Sequence, residues 1–163
     1  MNYFAFDTSA FAKRYHIEQG SSVVTAMITQ LIDKSNKRVI ISRIVVAEVI
    51  SVLKRRFNSH QLTLEQFNTA VIKLKAETTT MTSLIINDFV ADGRHSLILT
   101  HNINSADAMF LYQALQVSQI LGQSNHRVWL VASDARLLRA AAKEGLAILD
   151  PESADVQFAQ TLL

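Results

Sequence analysis

Short apolar runs alternating with longer segments of helical period constrain this chain more than any other feature. Asn2 to Phe6 reads as a strand, followed by helices in Ser9 to His16 and Ser21 to Lys34. Arg38 to Ser42 carries Val39, Ile40 and Ile41 and reads as a second strand, after which Arg43 to Phe57 returns to helical spacing. Thr63, followed three residues later by Gln66, is a capping-box pattern that opens another helix. Ser83 to Ile86 is a candidate third strand, with helices expected within Asn87 to Thr100 and in Ser105 to Leu121. Arg127 to Ala132 reads as a buried strand, Asp134 to Glu144 as a helix closed by Gly145, and Leu146 to Leu149 as a last strand before Pro151. Alternation of this kind predicts an α/β fold, a central parallel sheet of four to five strands with helices on both faces.

Composition agrees with that architecture. At 163 residues and 49% apolar content, the chain is expected to form a single domain, residues 1–163, around one sizeable core. Four glycines and one proline leave few breakers, so connections are short and Pro/Gly-rich architectures are excluded. Without cysteine there is no disulfide framework, thiolate zinc site or cysteine nucleophile, which is compatible with a reducing cytoplasm. A formal charge of +2 permits a nucleic-acid partner without requiring one. Arg43 and Glu48 interrupt the most apolar stretch, Val39 to Leu53, so no membrane span is expected. Asp7 precedes any hydrophobic run and no basic leader comes before it, so nothing directs secretion.

Absent motifs narrow the chemistry further. Gly20, Gly93, Gly122 and Gly145 are too far apart for a GxGxxG or P-loop phosphate cradle. His16, His60, His95, His101 and His126 include no HExxH pair, and no Gly-x-Ser-x-Gly elbow offers a serine nucleophile.

Carboxylates in unusual places remain. Glu48 has Ile44, Val45 and Val52 as helical neighbours and so projects from an apolar face. It is either a glutamate reaching the rim of the core or a metal or active-site acid, because an ionised carboxylate among apolar groups needs a cation or hydrogen bonds. Asp107 repeats the pattern, with Phe110, Leu111 and Ala114 along its stripe, and reads equally as a first-turn acid favoured by the helix dipole. Asp7 and Asp134 each follow an apolar strand and precede a helix, and taken singly each is an N-cap. Open parallel sheets, however, place their sites outside the carboxyl ends of the strands. Two aspartates there, joined by two acids from helix faces, can converge, and converging carboxylates call for a hard divalent cation such as Mg²⁺ or Mn²⁺.

Phe6-Asp7-Thr8-Ser9-Ala10-Phe11-Ala12-Lys13-Arg14-Tyr15, with Glu18-x-Gly20-Ser21 after it, resembles the opening of PIN-domain nucleases of the VapC toxin type. Ser42 to Arg56, centred on Ala47-Glu48-Val49, resembles their second acidic helix. Asp107-Ala108-Met109-Phe110-Leu111-Tyr112-Gln113-Ala114-Leu115 is similar to the third segment, and Val131-Ala132-Ser133-Asp134-Ala135-Arg136-Leu137-Leu138, through Gly145 and Asp150-Pro151, to the fourth. The four segments occur in order over nearly the whole chain. Phe110 stands where many relatives carry histidine, and Ala132 where a threonine commonly precedes the fourth acid by two residues, leaving Ser133 as the nearby hydroxyl.

The resemblance implies a PIN-like three-layer α/β/α domain in which Asp7, Glu48, Asp107 and Asp134 hold Mg²⁺ or Mn²⁺ for hydrolysis of RNA. It further implies a cytoplasmic toxin, dimeric and held inactive by a small antitoxin. Ser9 is a candidate supporting hydroxyl beside the metal, or simply a helix-start residue. Lys13, Arg14, Arg136 and Arg139 lie close in sequence to Asp7 or Asp134 and are candidate contacts to RNA phosphates, or solvated charges. A second reading, a non-catalytic Mg²⁺-binding module of the receiver kind, also puts acids at strand ends. Receivers usually show adjacent acids after the first strand and a lysine after the last, whereas here Asp7 stands alone and Asp150-Pro151 closes the last strand. A haloacid-dehalogenase-type phosphatase is disfavoured because Asp7-Thr8-Ser9 lacks its second aspartate.

Overall fold

Side chains alternate across the first strand, β1 (Asn2–Phe6), and that alternation builds the two halves of the core. Phe4 and Phe6 enter one buried cluster while Ala5 enters the other; in β2 (Val39–Ser42), Val39 and Ile41 separate from Ile40 in the same way. The computed structural model describes residues 1–33, 37–86 and 88–163; Lys34 and Asn87, expected in two of the helices, lie outside them. β1 and β2 join β3 (Thr82–Leu84), β4 (Arg127–Val131) and β5 (Ala147–Leu149) in one sheet of order β3-β2-β1-β4-β5. Every pairing is parallel. β2 is buried along its whole length, which explains its continuous apolar run Val39-Ile40-Ile41.

On the face of Phe4 and Phe6 lie α1 (Thr8–Phe11), which continues as a 3₁₀ turn at Ala12–Arg14, then α2 (Ser21–Asp33), α3 (Val45–Asn58) and α4 (Leu64–Thr78). The opposite face is covered by α5 (Asp88–His101), α6 (Ser105–Gly122) and α7 (Ala135–Lys143), through Leu97, Leu111, Ala114 and Leu137. The three-layer α/β/α fold follows, and among the described residues no helix is long and apolar enough to cross a membrane.

Local signals act as expected at several boundaries. Thr63 and Gln66 form a complete capping box at the start of α4. Gly145, at φ 83°, ends α7 with bonds from its own N–H to Ala142 and from the Leu146 N–H to Ala141. Other boundaries differ. The helix expected over Ser9 to His16 is a single α turn and a 3₁₀ turn, because Lys13 and Arg14 turn inward to the partly buried carboxylates of Glu18 and Glu77. The third strand stops at Leu84 rather than Ile86, since the Ile85 carbonyl accepts from Gln113 Nε2 at 3.0 Å instead of entering the ladder. A terminal helix, α8 (Val156–Thr161), follows the last strand and packs Ala159 into the first core, with Asp155 as its N-cap.

Chain order fixes where a site can form. From β1 the chain builds outward to β2 and β3, then returns to add β4 and β5 on the other side. The carboxyl ends of β1 and β4 therefore flank the point where the winding reverses, the place at which such sheets open a crevice.

Candidate active site

Asp7 leaves β1 at that crevice, its N–H bonded to the Val131 carbonyl of β4 at 2.9 Å. It caps α1: Oδ2 accepts from the Ser9 N–H at 2.9 Å and from Ser9 Oγ at 2.7 Å. Ser9 Oγ accepts in turn from the Ser133 N–H at 2.9 Å, so one hydroxyl ties the end of β1 to the loop after β4. Burial pushes the Asp7 carboxyl above the ordinary aspartate value; the Ser9 hydrogen bonds oppose this and the charge of Asp134 adds to it.

Asp134 caps α7, accepting from the Arg136 and Leu137 N–H groups at 2.7 and 3.2 Å, and the Arg136 guanidinium stands 3.8 Å from its other oxygen. Asp107, in the first turn of α6, is held from both sides by Asn104: its N–H donates to Asn104 Oδ1, and Asn104 Nδ2 donates to Asp107 Oδ2, each at 2.8 Å. Its carboxyl is pushed up to about 6, first by burial and then by the negative charges of Asp7 and Asp134. These three acids are therefore electrostatic neighbours although Asp107 is a hundred residues from Asp7. Glu48, in the first turn of α3 and half-buried, accepts a hydrogen bond from the Thr8 hydroxyl, which sets it beside the Asp7 turn.

Every carboxylate of the quartet is thus held by a short-range donor, and three of them repel one another. Among the described residues, no three acids or histidines stand close enough to form a ready-made cage for an ion. The donor set nonetheless suits a hard divalent cation: carboxylate oxygens, with the buried Ser133 Oγ beside them having no partner among the described residues. A cation held by Asp7, Asp107 and Asp134 would offset the repulsion that adds to the effect of burial on Asp107.

Residues 5–144 match the family model described as PIN domain. The chain belongs to the PIN domain family. As a PIN domain it is similar in fold to PAE2754 from Pyrobaculum aerophilum, with a TM-score of 0.62 at 17% identity over 99% of this chain and 89% of that one. It is also similar to a chain of a toxin-antitoxin complex from Klebsiella pneumoniae, with a TM-score of 0.57 at 15% identity over 90% of this chain and 96% of that one. A chain of DNA-bound VapBC from Salmonella typhimurium gives 0.58 at 14% identity, covering 93% and 99%. No curated protein matches.

Two departures from the family pattern have clear locations in this PIN domain. Phe110 and Ala132 are buried in the core on the α5–α7 face, so both positions serve packing. The expected basic contacts divide. Lys13 is 4% exposed, with Nζ 3.0 Å from Glu18 and 2.7 Å from Glu152. Burial opposes its charge, the two carboxylates outweigh this, and its pKa lies above the ordinary lysine value. Arg14 is engaged with Glu77 at 2.7 Å and Thr29 at 2.8 Å. Both charges are engaged by carboxylates within the fold. Arg136 and Arg139 are exposed on α7. Sequence reading missed Thr8 and Asn104 as holders of Glu48 and Asp107. For Asn104 a signal existed, an Asn three residues before an acid at a helix start.

Proposed function

We propose that this PIN domain is a metal-dependent endoribonuclease and the toxin of a toxin-antitoxin pair. The observation that carries the reading is the convergence of Asp7, Asp107 and Asp134 at the reversal of the sheet, with Asp107 raised first by burial and then by the charges of the other two. Membership of the PIN domain family supports nuclease chemistry, and the toxin-antitoxin complexes among the similar structures support a small antitoxin as partner. The family resemblance adds a homodimer, a cytoplasmic location and a single domain spanning residues 1–163.

Asp7, Glu48, Asp107 and Asp134 would hold Mg²⁺ or Mn²⁺. When bound, a divalent ion acidifies water and neutralises charge on phosphoryl oxygens. The chain's own groups do the positioning. Ser9 fixes Asp7 and joins it to Ser133, Asn104 fixes Asp107, Thr8 fixes Glu48, and two α7 amides fix Asp134. Such preorganisation keeps the acids in place before substrate arrives. Arg136 and Arg139, exposed on the helix that Asp134 caps, contact RNA phosphates and set register without reading sequence. Incubating the pure protein with labelled RNAs, with and without Mg²⁺ or Mn²⁺, tests the reading: cleavage requires the ion, and cleavage that persists unchanged in EDTA refutes it.

A further inference from the structure

A second concave feature lies next to the carboxylates. The end of α5 and the residues after it face α7 across a pocket of about 220 Å³, lined by Thr100, His101, Asn102, Arg136, Arg139, Ala140 and Lys143. No acid lines it. On α7 the three cations fall at positions i, i+3 and i+7, one face of the helix, while Leu137, Leu138 and Ala141 on the other face enter the core. Arg139 and Lys143 are exposed and make no ion pair among the described residues. Glu144, which follows Lys143, is instead bound to His101 Nε2 at 2.6 Å; this contact pins the end of α5 to the end of α7 and fixes the pocket's two walls. Arg136 belongs to both features, since it lines the pocket and stands 3.8 Å from Asp134.

Three cations on one wall, with hydroxyl and amide side chains opposite, match a phosphate group: charge for its oxygens from one side and neutral hydrogen bonds from the other. The volume is below the roughly 300–1,000 Å³ of pockets that enclose whole drug-sized ligands, which favours an anionic group over a complete nucleotide. We propose that this pocket is a subsite for a backbone phosphate of the single-stranded RNA substrate flanking the bond to be cut, with Arg139 and Lys143 as its principal contacts. The proposal rests on the nuclease reading for the identity of the strand, and it assigns binding roles to Lys143, Thr100 and Asn102. Through Arg136, a strand held here runs directly on to the carboxylates.

The test is RNA binding in EDTA, where no cleavage depends on an ion, using fluorescence anisotropy of an end-labelled single-stranded RNA dodecamer over a range of salt. Arg139→Gln/Lys143→Gln should weaken binding about tenfold near physiological salt and reduce the slope of log K against log salt by about 0.7 for each phosphate that the variant no longer neutralises. Its melting temperature should equal the parent's, because both side chains are solvent-exposed. Lys73→Gln/Lys75→Gln removes the same charge from α4, on the opposite face of the sheet, and should change affinity far less. A pocket variant that binds like the parent, a control that weakens binding as much, or a parent that does not bind the dodecamer would each overturn the subsite. Adenosine 5′-monophosphate, measured in parallel, separates a strand subsite from a nucleotide pocket; tight binding of it that depends on Arg139 and Lys143 would overturn the assignment to a strand. If RNA binds through the pocket but is not cut when Mn²⁺ is supplied, the nuclease reading fails and the subsite stands.

Discussion

Replacing Asp107 by Asn removes a negative charge from a place where the fold resists one. In the metal-free chain the Asp107 carboxyl is pushed up from 3.8 to about 6, by burial first and by Asp7 and Asp134 next. At about 1.4 kcal/mol per pH unit this corresponds to about 3 kcal/mol of penalty on the ionised form, and solvent reaching the half-buried group reduces it to about 1–2 kcal/mol. Asparagine is nearly isosteric and keeps an oxygen for the Asn104 amide. Asp107→Asn should therefore stabilise the metal-free protein by about that amount at pH 7.5, an increase of roughly 2–8 °C in melting temperature for a chain of this size. The pH dependence has a definite sign. Between 3.8 and about 6 the folded state retains a proton that the unfolded chain has released, so the parent loses stability as pH rises through this window. The variant lacks that loss, and the gap between the two should be near zero at pH 4 and constant above about pH 6.5. Mn²⁺ should raise the parent's melting temperature by mass action and raise the variant's much less. Thermal melts in EDTA and in Mn²⁺ from pH 4 to 7.5, paired with an RNA cleavage assay, read all of this. A variant that is less stable at pH 7.5 and still cuts RNA would show Asp107 to be an ordinary first-turn acid.

Three further changes probe the supports. Lys13→Met leaves Glu18 and Glu152 without their shared buried cation and should cost about 1–2 kcal/mol in denaturant titrations, because both carboxylates keep access to water, while the salt dependence of RNA binding stays as in the parent; a weaker salt slope would make Lys13 a contact to the substrate. Gly20→Ala forces a side chain into a φ of 83° with its Cβ 2.8 Å from the Pro151 carbonyl oxygen, and should destabilise by about 1–3 kcal/mol; a neutral result in thermal melts would mean that the contact between the Gly20 and Pro151 turns relaxes freely. Thr8→Val removes the hydroxyl donated to Glu48 and should weaken Mn²⁺ binding severalfold in calorimetric titrations with melting unchanged; equal affinity would remove Thr8 from the site.

Much of this fold is legible in the sequence because its strands are short, apolar and bounded. Tyr3-Phe4-Ala5-Phe6 and Val39-Ile40-Ile41 read as short strands of a doubly covered sheet, and the Thr63–Gln66 capping box forms as written. What the sequence hides is long-range. Nothing near Ile85 announces that Gln113 takes its carbonyl and ends β3, and nothing near Lys13 announces Glu152, 139 residues away. The six residues of α8 are too few for a helical period to show. In the site, the acids at strand ends are visible because an apolar run stops at each of them. The holders of the two helix acids are harder to read: Thr8, which holds Glu48, reads as part of a turn, and the Asn104 signal gains its meaning for Asp107 only when α6 lies against the crevice. The positions of Arg136, Arg139 and Lys143 on one helix face are readable from their spacing, but the wall opposite them is supplied by a different helix.

The most direct test of the central claim is titration of the chelator-stripped protein with Mn²⁺, followed by electron paramagnetic resonance, for the parent and for Asp7→Asn, Glu48→Gln, Asp107→Asn and Asp134→Asn. If the quartet is one site, the parent shows saturable binding, and each aspartate substitution weakens it by an order of magnitude or more and removes Mn²⁺-dependent RNA cleavage in parallel. Mn²⁺ binding that is equally strong in all five proteins, or cleavage that survives in the aspartate variants, would contradict a shared metal centre built from these carboxylates.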